Sequence, residues 1–559
     1  MLERNTYITS KALWNFLSAS VMTSLSGQLA VTTDAVIVSH MIGPDAISAI
    51  NVVMPLTMLF SCASILIGLG ASVLVAKAIG DHDNERVSRI FTIALMLLII
   101  TGMAVSAAAY LYCGDIVNAI CDDARIHPLA LRYAEVITAS AFFLILSNGI
   151  NYFVTTDGSP SLVARGVMTA AIANIVLDVL FVHLWGIEGS AFATAAHYVV
   201  ALAVVSTHFF KKSSSYRLVN PFKEFLTHTA RNLYEGLPLM LGNLILGSAV
   251  FIINSMILCA TGADGMYIWS VCIQMLMITF VILNGVGNAM LSIGGVLVGE
   301  KDYEGVRMLT GHTMKLVCGT LAAFVLFILL FPGILAGMFG ADSGGINVQV
   351  ETPMRIFSLL LIPFAVTLTM RFLFQILEYR ILSLLLSVGQ LIGIILCLWI
   401  FIELAPSLLW WSFPASAIVL MALQLAATFA ISREKSGISP VTLIPYGSGN
   451  EHTKSFSVPY NKGSIGMVIA EIKEFLRAHS IPHANIEETA SLCGSVMDSL
   501  IGEGETKKRC FDIHMRLNGE HTHIVLRDAG KRLVPAPTSN ESRIEYKYMY
   551  GQNVLFMKC

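Results

Sequence analysis

The sequence predicts an all-α membrane protein with a small cytosolic α+β domain at its end; the membrane part reads as twelve transmembrane helices, arranged as two six-helix bundles in parallel repeat. Three observations carry this prediction. Apolar stretches long enough to span a bilayer, about 17–25 residues each, recur twelve times before residue 433. A polar loop motif that follows the second stretch returns after the eighth, 219 residues later. Beyond Ser432 the sequence turns polar, and its hydrophobic pattern shortens to that of a soluble module.

Composition agrees. Of 559 residues, 55% are hydrophobic and 13% charged, against about 25% charged in soluble proteins. The net charge of −2 gives no basis for nucleic-acid binding. The ten cysteines show no C-x-x-C or other paired spacing, so neither a metal site nor a disulfide framework is expected. Cys113 and Cys121 share a predicted outer loop and could pair, but are read as two unconnected thiols. Residues 1–12 are too polar for a signal peptide, so the first apolar stretch is expected to be a retained span.

The stretches lie at 13–40, 46–76, 89–112, 130–155, 161–185, 189–210, 233–260, 264–298, 310–337, 355–378, 381–403 and 408–432. Basic residues collect in alternate loops, among them Lys77, Arg86, Lys211, Lys212, Arg231, Lys301 and Arg380. That side is expected to be cytoplasmic, and an even number of spans puts both termini there, in a cell (inner) membrane. The repeated motif is Gly80-Asp-His-Asp83-Asn-Glu85-Arg-Val87 against Gly299-Glu-Lys-Asp302-Tyr-Glu304-Gly-Val306. Six intervening spans give both copies one orientation, the parallel repeat used by many secondary transporters. The domains are then 1–210 and 233–435 for the two lobes, with a basic linker at 211–232 that holds an interfacial helix near Pro221–Thr229. A second linker at 436–460 leads to the domain at 461–559. In that domain, helices are expected at Gly463–His479 and Ile486–Ile501, and strands at Arg509–Leu517, His523–Arg527, Arg543–Tyr548 and Asn553–Lys558.

Polar residues inside the spans are the functional candidates. Asn174 and Asp178 lie four apart in the fifth span and share a helix face. A carboxylate mid-membrane costs roughly 2.5–3.5 kcal/mol on insertion scales and marks an ion or proton site by default. The competing reading is an Asp near a helix end that reaches interfacial water. Asp34 in the first span and Thr194 and His197 in the sixth come to the same depth, in the outer half of the first lobe. Together they would supply hard oxygen ligands for Na⁺ or a carboxylate pair that shares a proton. His197 is the candidate proton relay; a satisfied core histidine is the competing reading. No carboxylate is read in the middle of the second lobe's first two spans. Arg371, Gln375, Asn243 and Asn254 are its candidates for lining a substrate cavity, and Glu378 with Arg380 reads as a solvated pair.

Thr33-Asp34-Ala-Val-Ile-Val-Ser-His-Met-Ile-Gly43, Ala49-Ile-Asn-Val-Val-Met-Pro55, Asp157-Gly-Ser-Pro160, Asn174-Ile-Val-Leu-Asp178 and Gly186-Ile-Glu-Gly-Ser-Ala-Phe-Ala-Thr194 resemble segments of the multidrug and toxic compound extrusion (MATE) family. The resemblance covers residues 10–435. It implies two six-helix bundles forming a V, and efflux of drugs or other, mostly cationic, organic compounds coupled to entry of H⁺ or Na⁺. It further implies that Asp34, Asn174 and Asp178 form the first-lobe cation site, with Thr194 near the family's threonine position. No cofactor beyond the coupling ion is expected. The partners would be small organic substrates and membrane lipids, with a cytosolic protein partner for 461–559. Two alternatives stay open: a membrane-anchored regulator acting through the tail, and an exporter of lipid-linked or anionic compounds on the same scaffold.

The tail resembles the small ATPase fold of anti-sigma-factor kinases, through Glu487-Glu488, Asp528-Ala-Gly530 and Tyr546…Gly551-Gln-Asn553. Leu492 stands where that family places a metal-binding Asn, and no Gly-rich phosphate lid follows Asp528. The resemblance therefore implies a degenerate module in which ATP binding is doubtful and hydrolysis is not expected.

Overall fold

The computed structural model describes residues 4–120, 125–211, 214–221, 225–334, 346–446, 453–479, 481, 483–501, 510–518, 521–530 and 544–558. Among these, twelve helices are long and apolar enough to cross a membrane. They are Tyr7–Val38, Asp45–Gly80, Asn84–Leu111, His127–Thr156, Pro160–Trp185, Ile187–Phe210, Phe225–Gly262, Ile268–Gly299, Tyr303–Leu330, Val350–Ile376, Arg380–Leu404 and Pro406–Glu434, called spans one to twelve below. Each falls on one of the twelve apolar stretches. Cys121 lies outside the described residues; Cys113 is a buried free thiol. The helix expected at Pro221–Thr229 is not separate: from Phe225 the backbone runs helically into span seven.

The two copies of the repeated motif fold alike. His82 and Lys301 both take left-handed backbone conformations, with φ of 56° and 59°. Asp83 and Asp302 then cap the next helix, accepting hydrogen bonds from the backbone N–H of Arg86 and Gly305. An Asp at this position satisfies an orphan amide and complements the helix dipole. A π-helical turn also interrupts the second span of each half, at Ile65–Leu69 and Met290–Gly294.

After span twelve comes a five-stranded antiparallel sheet of order β1-β2-β3-β5-β4. Its strands are β1 Thr453–Pro459, β2 Cys510–Asn518, β3 His521–Asp528, β4 Ile544–Met549 and β5 Gln552–Lys558. β1 lies within the stretch read as a linker and pairs along β2 from Thr453↔Arg516 to Pro459↔Cys510. Helices Gly463–Ala478 and His483–Ile501 pack on one face, over Ile513, Met515, Ile524, Leu526 and Met557. Strand alternation sends the intervening residues to the other face. Asp512, His514, Arg516, Val525, Arg527 and Phe556 are nevertheless buried.

What buries them is the membrane part, on the side that carries both termini. The tail is therefore docked, where the sequence suggested a tethered module. The β4–β5 turn enters the core of the span bundle: Tyr550 donates its hydroxyl to the Thr156 carbonyl at 2.7 Å and its N–H to the Gly158 carbonyl at 3.3 Å. Gly158, at φ +79°, leaves no room for a side chain beside Met549. The segment where a phosphate lid would lie, 531–543, is outside the described residues.

Candidate cation and substrate sites

Spans one, four, five and six converge on a polar cluster in the first lobe. Asp34, Asn174 and Asp178 are buried, at 8%, 3% and 0% exposure. The Asp34 and Asp178 carboxyl groups lie within hydrogen-bonding reach of each other. Ser190 Oγ donates to Asp34 Oδ1 at 2.6 Å. Neither oxygen of Asp178 receives a hydrogen bond from a protein donor among the described residues. Thr194 borders the cluster beside Tyr133, whose ring is buried near both carboxylates.

Asp34, Asn174, Asp178 and Thr194 thus come together as the depth argument expects. The connection from Gly186 explains how. With φ +61° it reverses the chain between spans five and six, so residues 178 and 190–194 return to one level. His197 does not join them. Its ring lies beside the backbone of Ala170, two turns from Asp178 along span five, and its Nδ1 has no hydrogen-bond partner among the described residues. Among the described residues no hydrogen bond or ion pair links it to Asp34 or Asp178.

Sequence reasoning missed Ser190 and Tyr133. Ser190 sits inside the Gly186–Thr194 segment already singled out, four residues before Thr194 on the same helix face. Tyr133 carries no such signal; only packing of span four places it.

The second-lobe candidates separate. Arg371 lines a cavity between spans seven, eight, ten, eleven and twelve, with Trp269, Phe280, Phe357, Phe364 and Phe413 on the walls. Asn243 donates to the Leu239 carbonyl of its own helix at 3.2 Å, and Asn254 accepts from Trp269 Nε1 at 2.5 Å. Gln375 donates to the backbone and side chain of Glu235, at 2.9 and 3.1 Å. None of these three lines the cavity.

Gln375 belongs instead to an ion cluster between the lobes, which sequence reasoning also missed. Glu235 of span seven, fully buried, is bonded by Arg380 and approached by Lys77 of span two at 3.4 Å. Lys77 reaches Glu378 as well, at 3.0 Å. Arg380 and Glu378 are thus not a solvated pair: Arg380 neutralises a buried carboxylate, and half-exposed Glu378 caps the network. Burial of Lys77 and Glu235 is tolerable only because each meets opposite charge.

The MatE family profile matches residues 19–180 and again 238–399, together more than half of the chain. The two matches are offset by the same 219 residues as the repeated loops. Curated relatives include the Multidrug export protein MepA of Staphylococcus aureus, 26% identical over 224 residues, which are 39% of this chain and 48% of the relative. The Probable multidrug resistance protein YoeA of Bacillus subtilis is 22% identical over 195 residues, 34% of this chain and 42% of the relative. The chain thus spans about half the length of the curated relatives it matches, or less. Among solved structures, a MOP superfamily transporter from Pyrococcus furiosus superposes with a TM-score of 0.69 at 22% identity, covering 77% of this chain and 97% of that one. An outward-facing multidrug resistance MATE family transporter of the same superfamily gives 0.66 at 23% identity, covering 74% and 94%. These structural neighbours share the fold. With two profile matches over most of its membrane part, the chain is a multi-pass membrane protein and belongs to the MatE family, the multidrug and toxic compound extrusion transporters.

Proposed function

We propose that this protein is a secondary antiporter that exports amphipathic organic compounds and is driven by proton entry through Asp34 and Asp178. The observation that carries the reading is the facing carboxyl pair. Two buried carboxylates at hydrogen-bonding distance repel when both are ionised and attract when one proton lies between them. Asp178, lacking any other donor, would receive its hydrogen bond from a protonated Asp34, or the reverse. Proton loss and gain then change the packing of spans one and five, and a ligand shifts a two-state equilibrium only through such a difference between the states.

The lobes are inferred to be parallel repeats that rock about a shared seam, a reading supported by the matched capping turns at Asp83 and Asp302. The side carrying both termini is inferred to be cytoplasmic from its excess of Lys and Arg. On that side the lobes are in contact through Lys77 and Glu235, which corresponds to a state closed to the cytoplasm.

The test is export from proteoliposomes driven separately by a pH gradient and by a Na⁺ gradient. Export should follow the pH gradient and be lost in both Asp34→Asn and Asp178→Asn. Export driven by Na⁺ alone would mean that these oxygens, with those of Asn174 and Thr194, hold the metal ion instead. Gradient-driven export that survives both substitutions would remove the pair from the mechanism.

A further inference from the structure

The resemblance implies cationic substrates, but the second-lobe cavity has the opposite charge. Among the described residues, Arg371 is the one formally charged residue lining it, and no Asp or Glu does so. The guanidinium lies against Gly242, where a Cβ would stand in ordinary van der Waals contact, 3.5 Å from its carbon and two of its nitrogens. Nη1 donates to Ser387 Oγ at 2.9 Å. That neutral hydroxyl is its hydrogen-bond partner among the described residues. The Phe372 ring centroid lies 5.9 Å from the guanidinium carbon. A cation held within a membrane span on these terms lacks a counter-charge, and such residues ordinarily pair or mark a ligand path.

We infer that the cavity takes an amphipathic organic anion, with a carboxylate, sulfonate or phosphate on Arg371 and an aromatic body against Trp269, Phe357 and Phe413. Trp269 and Phe413 are stacked, with centroids 5.1 Å apart, and Phe357 meets Phe413 edge-on at the same distance. Such walls suit flat rings. The planar guanidinium suits two-oxygen acceptors, which bind it through paired hydrogen bonds. This inference rests on the transport reading above only for its direction, since binding itself needs no gradient.

The test is equilibrium binding of two xanthene dyes, fluorescein (anionic) and rhodamine (cationic), to the full-length protein in lipid nanodiscs. Fluorescein should bind roughly tenfold more tightly or better, the scale of one charge-assisted hydrogen bond. Arg371→Gln should abolish that preference, whereas Arg371→Lys retains part of it and reports a folded cavity. Rhodamine binding as tight as fluorescein, no fluorescein binding, or a preference that survives Arg371→Gln would each overturn the assignment. Asp34→Asn separates the two readings: it should stop gradient-driven export while leaving the dye preference intact.

A second inference stands on different residues. We propose that the tail is a clamp that holds the two lobes together on the side of the termini. Its polar sheet face touches the repeated loop of each lobe. From the first lobe, His82 stacks on Phe556 with centroids 3.5 Å apart, and Asn84 exchanges hydrogen bonds with Glu545 and Lys547, both at 3.1 Å. From the second lobe, Glu300 pairs with Arg527 and offers its carbonyl to His514 at 3.2 Å. Arg4 ties Asp302 to Asp512 at 2.6 and 2.7 Å, joining the N-terminus to the same network. Burial alone would raise the Asp302 carboxyl, but the charges of Arg4 and His514 hold it well below the usual carboxylate range. Opening this side separates the two loops, and the sheet cannot follow both.

The test reads the separation between spin labels at Glu85 and Glu304 in the otherwise full chain on a cysteine-free background. Arg527→Glu should shift the distribution to longer distances, and Glu300→Arg added to it should restore the short one. An unchanged distribution in Arg527→Glu, or a failure of the charge swap to restore it, would overturn the clamp.

Discussion

Gly80 and Gly299 pack across the seam between the lobes, and each faces a backbone carbonyl of the other lobe in the place where its side chain would stand. A Cβ on Gly80 would lie 2.0 Å from the Val296 carbonyl oxygen; one on Gly299 would lie 2.1 Å from that of Lys77 and 3.0 Å from the Gly80 Cα. Val296 and Lys77 are themselves repeat equivalents, 219 positions apart. The contact is thus reciprocal, as at a two-fold interface between identical subunits.

Substitution at either glycine should wedge this side open. Gly80→Ala and Gly299→Ala each place a methyl against backbone, which cannot rotate away. Both variants should show increased labelling of a cysteine introduced at this seam and export reduced by about tenfold or more, equivalent to roughly 1.4 kcal/mol against the closed state. Equal labelling in variant and parent would contradict the packing.

Glu235→Gln removes the carboxylate that Lys77 and Arg380 share. Breaking a buried ion pair by deleting one partner costs about 3–5 kcal/mol, because the remaining charge stays buried without compensation. The thermal transition of the detergent-solubilised variant should fall. Adding Lys77→Met should recover part of the loss, which identifies the stranded charge as the cause.

Tyr133→Phe keeps the ring that packs beside the carboxyl pair and removes the hydroxyl that lies beside Thr194. Export driven by a pH gradient should weaken by severalfold, about the value of one hydrogen bond at ~1 kcal/mol. Thermal stability should change little. Tyr133→Ala, which empties the space as well, should lower both.

Docking of the tail should loosen in mild acid through His82. Burial pushes this imidazole well below its ordinary value, helped by the charges of Lys547, His523 and Arg527, with Glu545 4.0 Å from Nδ1. The unfolded or undocked ring binds a proton near pH 6.5, and the docked ring resists it. Stability from this residue is therefore fully present above about pH 6.5 and is lost as pH falls below it. Protease sensitivity of the 436–460 segment should rise between about pH 6.5 and 5 in the parent, and this rise should shrink in His82→Phe, which keeps the stacking on Phe556.

The membrane architecture was legible in the sequence because lipid imposes a length and an apolarity on every span, and both can be read without knowing any contact. The same holds for the repeated loops, where Asp83 and Asp302 announce their caps through residue type and spacing. Asn174 and Asp178 were legible as one face of a helix, and Asp34 as their neighbour in depth, because depth follows from position along a span. Rotation about the helix axis does not. Only the packing of spans four to six turned Tyr133 and Ser190 toward the carboxyl pair and His197 away from it. Only the tertiary structure paired Lys77 with Glu235, 158 positions away, or set Arg371 on the wall of an aromatic cavity. The docking of the tail was hidden for a related reason. Its sheet alternates apolar and polar residues as any half-exposed sheet does, and that pattern is the same whether the polar face meets water or, as at Arg516 and Arg527, charges on loops from two lobes.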